Sequence, residues 1–199
     1  MFRRITSTRP AIAAVALFAV TNILPSPPTV RRVPAHNDDR AGGLLIINEV
    51  DSDTPGSDIS EFVELYDGGL GNTPLDGYVI VFFNGGAAND ASYAAFDLDG
   101  FSTNANGFFT LGNAAVVGVD LIFANGALQN GPDAIGLFAA SAADFPNGTP
   151  ITSMNIHDGL VYNNGSASDA GLLVVLNSGQ PQINENASAN GTSVSMQRM

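Results

Sequence analysis

Tyr78-Val79-Ile80-Val81-Phe82-Phe83, followed at once by Asn84-Gly85, carries the strongest fold signal in the chain. Six apolar or aromatic residues in a row, half of them β-branched, make a run too short for a typical helix. Bounded by a turn signal, it reads as a buried strand. Asn-Gly supplies the positive φ that a tight hairpin turn requires.

The same grammar repeats on both sides. Further β-rich runs are Leu44–Val50, Glu61–Tyr66, Ser92–Leu98, Gly107–Leu111, Val119–Ala124, Ala134–Phe138, Ile151–Ile156 and Leu160–Tyr162. Asn106-Gly107, Asn125-Gly126, Asn130-Gly131 and Asn147-Gly148 punctuate them. About nine short strands with regular turn signals, and no alternating helices, predict an all-β antiparallel sandwich. One segment departs from the pattern. Ser168 or Asp169 would cap a short helix over 169–177, and Gly179 would close it, with a strand through Val174-Val175 as the alternative. Residues 181–199 are polar and turn-rich, and read as a tail or a final edge strand.

The N-terminal 42 residues read differently. Three arginines in the first ten residues precede Ala11–Leu24, an apolar run without charge, and a prolyl segment follows. That is how a secretory signal is built, and the run is shorter than a bilayer-spanning helix requires. Residues 1–42 are expected to be a signal peptide or signal anchor with a Pro/Arg-rich linker, and residues 43–180 the sandwich. The expected location is secreted or cell-surface, with membrane contact only through an uncleaved leader.

Charge excludes one class of partner. The chain has no lysine, and six of its seven arginines lie within the first 40 residues; the seventh is Arg198. Only Asp38 and Asp39 of the 19 acidic residues lie upstream of residue 41, so 17 fall in the body. A nucleic-acid binder neutralises phosphates with Lys and Arg, so direct nucleic-acid binding is not expected. The acidic body suits solubility, a cationic partner or a divalent metal. There is no cysteine, which removes disulfides, thiolate metal sites and a Cys nucleophile.

Several stretches, in order, are similar to the lamin-tail domain. Ile46-Ile47-Asn48-Glu49-Val50 resembles its opening strand, and Glu61-Phe62-Val63-Glu64-Leu65-Tyr66 its E-F-V-E-L-Y stretch. Leu75-Asp76-Gly77-Tyr78 resembles its L-x-G-W, with tyrosine in place of tryptophan. Asn125-Gly126 through Asp133 resembles its late hairpin. Asp158–Tyr162, the Asp169–Gly171 turn and Gly179–Gln182 are similar to a bacterial subgroup often fused to extracellular nuclease or phosphatase domains. The resemblance implies an immunoglobulin-like sandwich that accompanies other domains and has no catalytic residues of its own. With no tryptophan in the chain, the core anchor falls to Tyr78 or a phenylalanine. The expected function is an exported, non-catalytic module for protein interaction or surface attachment. The alternatives are an accessory domain or truncated relative of a secreted endonuclease or phosphatase, and a structural envelope or matrix protein.

The chemistry is sparse. The histidines are His36 and His157, and there is no G-x-S-x-G. His157 reads as a surface or hairpin residue. Asp51-Ser52-Asp53-Thr54-Pro55-Gly56 opens like a calcium loop and then departs from it at Pro55 and Phe62, so it is no EF-hand. Asp51, Asp53, Asp58, Glu61 and Glu64 are nonetheless close enough in sequence to converge on Ca²⁺ through a loop. The same residues also read as a solvated hairpin loop. On strand 61–66, either Glu64 or Glu61 faces the core, so one of the two is expected to be partly buried and structural. Sequons at Asn147, Asn164, Asn186 and Asn190 would carry glycans only in a eukaryotic secretory setting. Tyr66, Tyr93 and Phe108 are candidates for an exposed contact patch.

Overall fold

A computed structural model of the chain describes residues 45–86, 89–165, 169–187 and 191–198. The expected leader and Asn190 lie outside the described residues. The protein is all-β, and its strands form two five-stranded sheets. The first sheet is built from β1 (Ile46–Asp51), β2 (Phe62–Tyr66), β5 (Phe108–Gly112), β6 (Leu121–Ile122) and β10 (Met196–Gln197), in the order β10-β1-β2-β5-β6. The second holds β3 (Val79–Asn84), β4 (Ala91–Asp97), β7 (Asp133–Phe138), β8 (Ile156–Asn163) and β9 (Ile183–Asn184), in the order β4-β3-β7-β8-β9. All pairings are antiparallel except β5–β6 and β8–β9.

Most of the apolar run Tyr78–Phe83 becomes β3, the second strand of its sheet. β3 and its neighbour β7 are buried on both faces, which explains why their sequences run apolar without alternation. One cluster of side chains fills the space between the sheets, with Phe82 against Tyr93, Phe96 and Phe123 at ring distances of 5.8, 5.2 and 5.8 Å. Tyr78 belongs to this cluster as well. A second cluster covers the opposite face of the β3 sheet. There Val79, Val81, Phe83, Phe138 and Val161 pack under Phe145, Leu172 and Val175. The last two side chains come from a 3-10 helix, Gly171–Val175. This is the short helix expected near 169–177, wound more tightly and laid down as a lid on the sheet.

Several boundaries differ from expectation. Of Val119–Ala124 only Leu121–Ile122 pairs. Residues 151–155 are not strand, because Pro150 makes a lone bridge to Ala91 and the chain turns at Met154-Asn155 before β8 begins. Residues 181–198 supply edge strands to both sheets, β9 beside β8 and β10 beside β1. Gly107, Gly126, Gly131 and Gly148 adopt positive φ (91°, 66°, 67° and 90°), as their Asn-Gly turns require. Gly85 does not. It is glycine for want of room: a Cβ there would lie 2.5 Å from Leu172 Cδ1 and 2.6 Å from Pro132 O.

Candidate functional site

β2 settles which glutamate turns inward. Glu61, Val63 and Leu65 are 0% exposed, whereas Phe62, Glu64 and Tyr66 are half-buried on the opposite side. Glu61 is therefore the structural carboxyl, and neither of its oxygens accepts a hydrogen bond. Its backbone is pinned to Asn113, whose side-chain oxygen accepts from Glu61 N–H at 2.7 Å. Burial pushes the Glu61 carboxyl up to about 7, and Asp58 adds to the rise. The Asn113 side chain and the N–H groups of Leu128 and Gly126 oppose it from beyond hydrogen-bonding geometry.

The other acidic residues of this end are satisfied separately. Asp58 Oδ1 accepts Thr54 N–H at 2.9 Å, closing the loop on itself. Asp53 Oδ2 accepts Asn186 Nδ2 at 3.1 Å. Glu64 accepts Asn48 Nδ2 at 2.8 Å and stands opposite Glu49 across β1. Its carboxyl is raised, chiefly by burial. Asp51 is the exception. Its Oδ1 is buried with no hydrogen-bond partner, and burial lifts the carboxyl to about 6, helped by Asp53, Glu49 and Asp58.

Thus Asp51, Asp53 and Asp58 share one loop end, Glu61 points into the core beside it, and Glu64 lies on the other face of β2. Among the described residues, no three Asp, Glu or His side chains gather where they could hold a metal ion. Glu185 joins this end from far along the chain. It accepts Ser52 N–H at 3.0 Å and the Ser52 hydroxyl, and its carboxyl is raised, first by burial. Its place in a polar C-terminal stretch gave no sign of this role.

Two further carboxylates are fixed in the fold. Asp67 is almost wholly buried and accepts from the N–H groups of Gly69, Leu70 and Gly71 and from the Thr73 and Thr103 hydroxyls. Burial alone would raise its carboxyl, but these donors outweigh burial and lower it. Asp158, 1% exposed, pairs with Arg198 at 2.7 Å. Its Oδ2 also accepts Ile47 N–H at 2.8 Å, and Oδ1 accepts Asn177 Nδ2 at 3.1 Å. Arg198 completes the bracket by donating Nε–H to Ile47 O and its backbone N–H to Asn48 O. This knot ties β8 of one sheet to the Ile47 end of β1 in the other, beyond the Glu49–Val50 stretch that pairs with β10.

His157 is a half-buried residue of β8 whose ring meets Tyr78 edge-on at 5.3 Å, rather than a surface or hairpin residue. Tyr66 stacks on Phe108 at 4.7 Å; both are half-buried, as is Tyr93. Asn147 is exposed, and Asn164 and Asn186 are half-buried. The Asn186 amide is committed to Asp53 and to Asn164 O.

The fold thus defines a class, the all-β sandwich of two five-stranded sheets. No family model matches the chain, and neither does any curated protein.

Proposed function

We propose that the protein is an exported, non-catalytic β-sandwich module of the lamin-tail kind, which mediates protein interaction or surface attachment through a partner of positive charge. The observation that carries this reading is the fate of Arg198. It is the sole Lys or Arg between residues 45 and 198, and it is spent on Asp158. Asp76, Asp97, Asp99, Asp120 and Asp144 meanwhile stand exposed. A surface of one sign steers cationic partners towards it and repels anionic ones. The test is to fractionate host cells that express the full tagged chain. The protein is expected in the surface or culture fraction, with the surface-bound part released by about 1 M salt, which screens such contacts. Retention in the cytoplasm would overturn the proposal.

A stabilising calcium ion is a second reading, favoured by the unpartnered, buried Asp51 Oδ1, with its remaining ligands drawn from backbone carbonyls and water. A bound ion raises the melting temperature, and at a hundredfold excess over its dissociation constant it adds about 2.7 kcal/mol. Thermal melts with millimolar Ca²⁺ and with chelator, at matched ionic strength, test this. The shift should vanish in Asp51→Asn. Equal melts in both buffers would sink the calcium reading.

A further inference from the structure

A pocket of about 290 Å³ opens where β3 ends and β7 begins, at the register pair Asn84–Asp133. Its polar lining is Asn84, Gln129, Asn130, Asp133 and Asn164. We propose that this pocket binds a neutral saccharide unit, so that a glycan is held alongside the cationic partner that the acidic surface favours. The biological role rests on the attachment reading, but the binding chemistry does not.

The lining chemistry selects the ligand. A carboxamide offers two donors and an acceptor, and a sugar hydroxyl is both donor and acceptor, so neighbouring hydroxyls and amides pair. The Asn130 and Asn164 amides make no side-chain hydrogen bond to another described residue. Gln129 spends only Oε1, which accepts Asn84 Nδ2 at 2.8 Å. Asp133 sits at the floor, 2% exposed, and its two oxygens accept Gly85 N–H at 3.2 Å and Gly131 N–H at 3.3 Å. A carboxylate held this way is a fixed acceptor. With no Lys or Arg in the lining, phosphate, sulfate and carboxylate ligands meet only like charge.

The pocket is also rigid at its centre. Two tyrosines hold the Gln129 backbone from below. Gln129 N–H donates to Tyr93 OH at 3.1 Å, and Tyr162 OH donates to Gln129 O at 2.6 Å. Tyr162 is wholly buried. A loop that is already ordered forfeits less entropy when a ligand arrives.

The experiment uses the full chain and defined probes. Cellotriose, maltotriose and N-acetylchitotriose are titrated by calorimetry and by side-chain amide NMR, with sialyllactose as the anionic comparison. At least one neutral trisaccharide should bind and shift the Gln129, Asn130 and Asn164 amide signals, while sialyllactose does not. The double variant Asn130→Ala/Asn164→Ala should weaken binding about tenfold, the loss of a few neutral hydrogen bonds, with an unchanged thermal melt. If that variant misfolds, Gln129→Ala, a change at an exposed side chain, must give the loss instead. The proposal fails if no neutral probe binds at concentrations up to about 10 mM. It also fails if sialyllactose binds equally well, or if the folded variants bind like the parent. Surface location without sugar binding would sink this inference alone, whereas cytoplasmic location would sink the attachment reading.

Discussion

Replacing Arg198 with alanine probes the knot between the sheets. The substitution strips a partner from Asp158, which is 1% exposed and cannot reach water without opening the fold. Breaking a buried ion pair from one side costs about 3–5 kcal/mol, because it strands a charge. Two features moderate that figure here. The Arg198 side chain is 29% exposed, and Asp158 keeps Ile47 N–H and Asn177 Nδ2 as donors. The hydrogen bond from Arg198 Nε to Ile47 O disappears too, adding about 1 kcal/mol. The expected loss is about 3 kcal/mol, a large share of the 5–15 kcal/mol that holds a typical domain together. Asp158→Asn should cost less, about 1–2 kcal/mol, since the stranded charge is then Arg198, which reaches solvent. Equilibrium urea unfolding of the two variants measures both. A loss below about 0.5 kcal/mol for Arg198→Ala, the range of ordinary surface changes, would overturn the assignment of a stranded charge to Asp158. So would a greater loss for Asp158→Asn.

The remaining predictions concern other parts of the fold. Glu61 has a carboxyl raised from 4.5 to about 7, so the folded state binds a proton that the unfolded state releases. Its stabilising contribution is full below pH 4.5 and is lost as pH rises through about 7. Melts in chelator should show this decline, and Glu61→Gln should remove its share of it between about pH 4.5 and 7; an identical pH profile in the variant would count against it. Asp67 titrates in the opposite sense. Its lowered carboxyl contributes stability above pH 3.8 that is lost as pH falls through the folded value, and Thr103→Val should weaken that contribution by about 1–2 kcal/mol in urea unfolding at neutral pH. Gly159→Ala would set a Cβ 2.2 Å from Val175 O, wedging the 3-10 lid off β8. It should cost about 1–3 kcal/mol, and hydrogen exchange should quicken first in residues 171–176.

The strands were legible wherever one sequence signal sufficed. β2 and β3 follow from local runs, and the positive φ of Gly107, Gly126, Gly131 and Gly148 in their Asn-Gly turns follows from steric preference. Ile151–Ile156 was misleading because its residues have strand-like composition, while pairing is decided by the neighbour that the chain meets, and there it meets only a lone bridge. The burial of one glutamate on β2 could be foreseen from alternation alone, but which one depended on the position of the second sheet. Glu185, Asp158 and Arg198 could not be foreseen. Each acts on a residue more than a hundred positions away in the case of Ser52 and Ile47, and such pairings leave no local pattern. The second apolar cluster was hidden for a related reason: a strand buried on both faces looks the same in sequence whatever covers it.

Among the described residues, β1 is the first strand of the sandwich to be synthesised, and it pairs with β10, the last. Arg198 then fastens that same edge to the opposite sheet. A chain emerging from the ribosome therefore carries β1 with an open edge until nearly the whole sandwich has been made. The native topology of the first sheet is out of reach until β10 has been made. Delay of this kind lengthens the time for which unpaired strand edges stay open. It also means that holdase chaperones, which favour open edges and uncovered apolar surface, have a long interval in which to act.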